Sequence, residues 1–121
     1  LLGIGTMDDL LSHPKVGASW EGFAIEETIS RTGARPEECY FWGTHGGAEL
    51  DLLLVRGRRR IGFEVKRTTA PKVTPSMRSA LDDLRLDRLY VIHAGRDTFP
   101  LAARITAVPL ARILLDVPPL P

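Results

Sequence analysis

Cysteine is nearly missing from this chain. Cys39 is the only one, so no internal disulfide can form, and zinc sites built on four cysteines or on two cysteines and two histidines are excluded by count. A reducing, cytoplasmic setting fits that usage. Long apolar runs are absent as well. No stretch approaches the ~20 residues that cross a bilayer, and the opening "LLGIGTMDDLL" lacks the basic segment of a signal peptide. Neither sign of charge is in excess. With a formal net charge of +1 the chain is no polycation, so any nucleic-acid binding has to come from a local patch. No G-x-x-x-x-G-K-[ST] occurs, which removes the usual phosphate-binding loop for ATP. Repeats and low-complexity segments are also lacking.

What remains is the composition of one folded domain: 121 residues, 44% hydrophobic and 26% charged. The chain opens at Leu1, on apolar residues, and therefore reads as a piece of a longer protein. Residues 1–15 are expected to link to an upstream domain, 16–117 to form the domain itself, and 118–121 to be a proline-rich extended tail.

Local patterns give the elements. "TMDDLLS" suggests a short helix capped by Thr6 and ended at His13-Pro14. A second helix is expected over 16–31, with Val16, Trp20, Phe23 and Ala24 as its packed stripe and Gly33 as its stop. Strands are expected at 39–44, 48–55 and 60–66, the last two joined as an antiparallel hairpin around Gly57. Thr74-Pro75 caps a third helix whose stripe is Met77, Ala80, Leu81 and Leu84. "RLYVIHA" reads as a central strand, "GRDTFP" as a loop, and "ITAVPLARILLD" as a short strand followed by a short helix. Helix, three strands, helix and strand make an α/β fold with a mixed sheet flanked by helices.

Two of those strands carry charges where a buried strand would have none. Residues two apart share a strand face, so Glu49 and Asp51 point one way, as do Glu64 and Lys66, and a hairpin can bring both pairs together. Clustered carboxylates beside an ammonium suit a hard divalent cation such as Mg2+ or Mn2+. The lysine can orient a water or stabilise developing charge during phosphodiester hydrolysis. The alternative is a wet strand face carrying ion pairs. Against that, Leu53, Val55 and Gly62 continue the charged face, which suggests a pocket at one end of a covered surface. Arginines Arg56, Arg58, Arg59 and Arg60 crowd the hairpin tip, and Arg67 follows the third strand. They serve either to hold a phosphate backbone or to solubilise the tip. Trp20 and Trp42 read as core, and His45 as a solvated turn residue.

Asp51 followed by "EVK" at Glu64–Lys66 resembles the PD-(D/E)XK nuclease superfamily, whose restriction-endonuclease-like core has the order α-β-β-β-α-β. "GASWE", Gly17 to Glu21, is similar to the G-x-x-x-E of members that add a helix glutamate; no proline precedes Asp51 here. The resemblance implies Asp51 and Glu64 as metal ligands with help from the Val65 carbonyl, Lys66 and Glu21 as catalytic, and Glu49 as a supporting acid. Arg58, Arg59, Arg60 and Arg67 are nucleic-acid contacts on this reading. Over nearly the whole chain, phrases such as "YFWGTHGGAELDLLL" and "IGFEVKRTTAPKVTPSMRSALDDL" look like the C-terminal domain of bacterial and archaeal AAA-type ATPases, catalogued as domain of unknown function 4143. That resemblance implies an upstream ATPase domain of the same parent chain as partner. DNA and a second copy of the chain are further expected partners, and a membrane is not. The competing functions are a Mg2+-dependent nuclease and an inactive nuclease-like binding or regulatory module.

Overall fold

The hairpin at the centre follows directly from its residues. "ELDLLLVR" and "RRIGFEVK" are rich in branched and aromatic side chains, and Gly57 supplies the positive φ of 59° that their tight connection requires. In the computed structural model, which describes residues 3–6 and 19–120, they form β3 (Glu49–Arg56) and β4 (Arg59–Lys66), paired antiparallel. The other strands are β1 (Ile4–Gly5), β2 (Cys39–Gly43), β5 (Arg88–His93), β6 (Phe99–Ala102) and β7 (Ile105–Pro109). Together they make one mixed sheet of order β1-β2-β3-β4-β5-β7-β6, in which β4, β5 and β7 run parallel. The helix expected over 6–12 and the first turn of the one expected over 16–31 fall outside the described residues, apart from Thr6.

Helices cover both faces. Helix α1 (Trp20–Thr32) starts at Ser19, whose hydroxyl accepts from the Gly22 N–H, and stops at Gly33 with φ 74°. Helix α2 (Pro75–Asp83) starts at Thr74, whose hydroxyl accepts from Met77, with proline at its first position. The short helix α3 (Ile113–Asp116) follows β7. On the α1 side, Ala24 and Ile25 pack on Leu52, Leu54, Phe63, Val65 and Ile92. On the α2 side, Met77, Ala80 and Leu81 pack on Leu50, Leu53, Leu89 and Val91. Each fully buried aliphatic or aromatic side chain contributes about 1.5–3 kcal/mol, so two complete apolar layers can carry a few buried charges in the strands between them.

Several expectations change. Phe23 is 53% exposed, because the buried stripe of α1 runs through Ala24, Ile25 and Thr28 instead. "GRDTFP" is only partly loop: Phe99 and Pro100 open edge strand β6, where a missing proline N–H is tolerated. Within the expected tail, Leu120 packs against the α1-side core. Arg56 does not belong to a free cluster at the hairpin tip. Its guanidinium holds Glu38 through Nε at 2.7 Å and Nη2 at 2.9 Å, and Nη2 also reaches the Gly33 carbonyl. That bidentate pair, helped by the Arg35 N–H, holds the Glu38 carboxyl down to about 2. Among the described residues no helix is long and apolar enough to cross a membrane.

Gly62 marks a close approach between the centre of the sheet and the α2-side layer. A Cβ there would lie 2.6 Å from Leu86 Cδ1 and 3.2 Å from Leu50 Cδ2, both in the packed α2-side layer. Gly62→Ala is expected to lower stability by about 1–3 kcal/mol through overpacking. Gly46→Ala, whose Cβ meets only Thr44 Oγ1 at 3.7 Å, is expected to be neutral or slightly stabilising. Urea midpoints of the two variants make the comparison.

Candidate functional site

Strict alternation fails at one place in β3, and the candidate site lies there. Tyr40 pairs with Leu53 and Trp42 with Leu50, so the single residue Phe41 faces both Asp51 and Leu52. This is a β-bulge, a device that re-aims a side chain and ends regular pairing. Its effect shows in the layers: Leu50 packs on the α2 side and Leu52 on the α1 side, although they are two apart. The expected single apolar face through Leu50, Leu52 and Leu54 is therefore broken. Glu49, paired with Gly43 and exposed, alternates with Leu50 and so is turned toward the α1 side.

Beyond the bulge the hairpin partners separate. Their register runs from Arg56↔Arg59 to Leu52↔Phe63 and stops. The next β4 amide directed at β3 belongs to Val65, and the Asp51 Oδ2 accepts it at 2.9 Å. A side-chain carboxylate has taken the place of a strand carbonyl. Within a ladder, a residue's N–H and C=O address the same neighbour, so the Val65 carbonyl lies on this edge too. Asp51 is 7% exposed and Glu64 4%. No buried side-chain nitrogen or oxygen among the described residues lacks a hydrogen-bond partner.

Glu64 and Lys66 share the α2-side face of β4, opposite Val91 and His93 of β5. Glu64 is buried and Lys66 half-buried, at the end where the parallel strands stop. The structure thus brings Asp51, Glu64, the Val65 backbone and Lys66 to one corner of the sheet. Glu21 is half-buried in the first turn of α1, the helix that covers the other face of β4. Among the described residues, no three His, Cys, Asp or Glu side chains converge closely enough to hold a metal ion. Arg67 follows Lys66 at the same corner, whereas Arg58, Arg59 and Arg60 sit at the opposite end of β4. The seven residue steps from Arg59 to Lys66 span roughly 23 Å of strand. His45 is exposed in its turn and Trp42 is buried, as expected.

Sequence reasoning passed over His93, the cross-strand neighbour of Lys66. It is fully buried and rests against the Phe99 ring. The Gly95 N–H donates to Nδ1 at 3.0 Å, so the proton sits on Nε2, which donates to the Asp97 carbonyl at 2.9 Å. Both ring nitrogens are spent on closing the loop after β5. Next to them the Ala94 N–H bonds the Thr68 carbonyl at 2.9 Å, tying the segment after Lys66 to the same strand end. His93 is therefore a structural brace for the corner. On the α1 side of this sheet end, an open groove of about 290 Å³ runs between α1 and Ala94–Gly95, lined by Trp20, Phe23, Glu27 and Arg31. The lone thiol, Cys39, is pushed up to about 11 by burial and donates to the Arg35 carbonyl, so it is no nucleophile.

These features define a mixed α/β domain with a buried carboxylate pair where two strands part. The chain belongs to the family described as domain of unknown function (DUF4143), whose model matches residues 16–113. It is 46% identical over 114 residues to an uncharacterized protein of Mycobacterium bovis and equally to one of Mycobacterium tuberculosis. The alignment covers 94% of this chain and 25% of each relative, so the chain spans about a quarter of their length. No solved structure matches.

Burial holds His93 below its ordinary value of 6.5, with the Asp97 carbonyl and carboxylate partly opposing. The unfolded chain takes up that proton near 6.5 and the folded chain only at lower pH. Stability is therefore lost as pH falls below 6.5. Thermal midpoints of wild type and His93→Gln, followed downward from neutral pH, are expected to show that loss in wild type and a flatter profile in the variant.

Proposed function

We propose that this domain is a nuclease-like module with a restriction-endonuclease-like core, built to hydrolyse a phosphodiester bond of DNA with a divalent cation. The observation that carries the reading is the Asp51–Val65 hydrogen bond at the β3 bulge. It joins the two halves of the Asp51…Glu64-Val65-Lys66 pattern where the strands part. The corner also lies at the carboxyl ends of parallel strands, where open α/β sheets bind their ligands.

Two buried carboxylates and a backbone carbonyl fit Mg2+ or Mn2+, which take oxygen ligands and keep several waters. Asp51, Glu64 and the Val65 carbonyl would hold the ion. When bound, it supplies Lewis acidity, acidifying a water and neutralising phosphate charge. Lys66 then orients the attacking water or stabilises the charge that develops on the phosphoryl oxygens. Arg67, at the same corner, draws the phosphate backbone in. The resemblance adds Glu21, half-buried in the first turn of α1, as a further catalytic acid. A second reading keeps the ion site without turnover, as a regulatory module of a longer protein carrying an ATPase domain. Its support is that the matched relatives extend well beyond the aligned quarter.

Calorimetric titration with Mn2+ and Mg2+, paired with cleavage of plasmid and branched DNA, tests both readings. Asp51→Asn keeps an acceptor for the Val65 amide and so separates folding from function. It is expected to weaken metal binding by about 10–100-fold and abolish cleavage. Lys66→Ala is expected to keep metal binding and lose cleavage. Binding without cleavage in wild type favours the regulatory module, and no binding at millimolar metal contradicts both.

A further inference from the structure

The carboxylate corner lies where β4 and β5 stop. At the other end of the sheet, where β4, β5 and β7 begin, arginines converge on one turn. Arg60 Nη1 donates to the Leu84 carbonyl at 3.0 Å, and Arg104 Nη1 donates to the Leu86 carbonyl at 3.0 Å. Those carbonyls flank Arg85 and lie at most about 7 Å apart. The backbones of both arginines are stitched beside the same turn. The Asp87 N–H bonds the Arg60 carbonyl at 2.8 Å, and the Leu89 N–H bonds the Arg104 carbonyl at 2.8 Å. Three exposed guanidinium groups, those of Arg60, Arg85 and Arg104, therefore share one mount.

The backbone adds a second observation. Among the described residues, Arg85 (φ 52°) and Arg104 (φ 63°) are the non-glycine residues with positive φ. Glycine or asparagine adopts that conformation with less steric penalty. Arginine stands at both positions with its side chain exposed, so core packing does not account for the choice. Strained residues of this kind gather at binding sites, where surrounding structure holds them in place.

We propose that the Arg60–Arg85–Arg104 turn is a platform for the phosphate backbone of nucleic acid, distinct from the carboxylate corner. A guanidinium offers five planar donors that match phosphate oxygens in pairs. Arg60 and Arg104 each spend a donor on a main-chain carbonyl, which fixes their direction and leaves less side-chain freedom to lose on binding. The acidic groups nearby are Asp82 and Asp83, exposed on the last turn of α2, and Asp87, whose Oδ2 already accepts the Arg60 N–H at 2.9 Å. Arg58 at the hairpin tip extends the patch. Arg88 points to the other face, with Nη2 on Thr106 and its guanidinium over the Tyr90 ring. A lipid surface fits less well. The exposed large hydrophobic residues among those described are Phe23, Leu114 and Leu115, on α1 and α3, and none adjoins this turn to enter a bilayer. Arg60 lies six residue steps along β4 from Lys66, roughly 20 Å. The platform therefore works whether or not Asp51 and Glu64 hold a cation.

Fluorescence anisotropy with a labelled duplex DNA, in EDTA and across a salt series, tests the platform with the metal site silent. Wild type is expected to bind, with log affinity falling linearly with log salt. Arg85→Gly removes the guanidinium and the positive-φ penalty together. It should keep or raise the thermal midpoint while lowering the salt slope by about 0.9. Arg85→Gly/Arg104→Gly should lower the slope by about twice that and weaken low-salt binding about tenfold or more. Arg112→Gln, the loss of one arginine charge where it pairs with Asp116 of α3, should bind DNA nearly as wild type does. Unchanged binding in the double variant would overturn the proposal, and so would no wild-type binding in EDTA. A loss in Arg112→Gln equal to that in the double variant does the same, as does tighter binding to phosphatidylserine vesicles than to DNA.

Discussion

The hydrogen bond between the Val65 amide and the Asp51 carboxylate is the joint on which the rest of this domain turns. β3 and β4 pair regularly from the hairpin tip and then part, which leaves a buried strand amide without a main-chain acceptor. An unmet donor of that kind costs about 1–3 kcal/mol. Asp51 answers it because a bulge opposite Phe41 places one extra residue in β3. A regular strand would have continued the ladder and left no corner. The same local irregularity thus ends the pairing, satisfies the amide it strands, and sets a carboxylate beside Glu64-Val65-Lys66.

The surrounding structure makes that corner rigid. Leu50 and Leu53 hold β3 against α2, while Leu52 and Leu54 hold it against α1, so the bulge is gripped on both faces. Gly62 lets Leu86 and Leu50 close over β4 just before Glu64. His93 braces the neighbouring strand end through both ring nitrogens, and Thr68 is tied to Ala94 beside it. At the opposite end, Arg56 and Glu38 join β3 to the segment after α1. Buried carboxylates stand at the carboxyl ends of the parallel strands, and exposed arginines at their amino ends.

Much of this was legible in the sequence because the signals were local. Ser, Thr, Pro and Gly punctuate α1 and α2 where their hydrogen bonding and backbone freedom require, and the Gly57 hairpin is a short-range signal. The pairing of Asp51 with Glu64-Val65-Lys66 followed from two strands of the right length around that turn. What period-two reasoning could not supply was the bulge, since nothing in "ELDLLL" announces an extra residue; only the register against β2 reveals it. That one residue turned Glu49 to the other face and split Leu50 from Leu52. Phe23 misled for a related reason: an aromatic at helical spacing predicts burial only if the neighbouring element reaches it. The Arg60–Arg85–Arg104 turn was hidden because its members lie on three separated elements. Their meeting depends on parallel pairing, which leaves no short-range mark.

Amide hydrogen exchange at Val65 tests the joint most directly. In the wild-type domain, Val65 should be protected to a degree comparable with Ile61 and Phe63, whose amides pair within the sheet. In Asp51→Ala, Val65 should lose that protection selectively while Ile61 and Phe63 keep theirs. Protection at Val65 that survives the loss of the carboxylate would contradict the account, because some other acceptor would then be closing the strand and Asp51 would not be what shapes the corner.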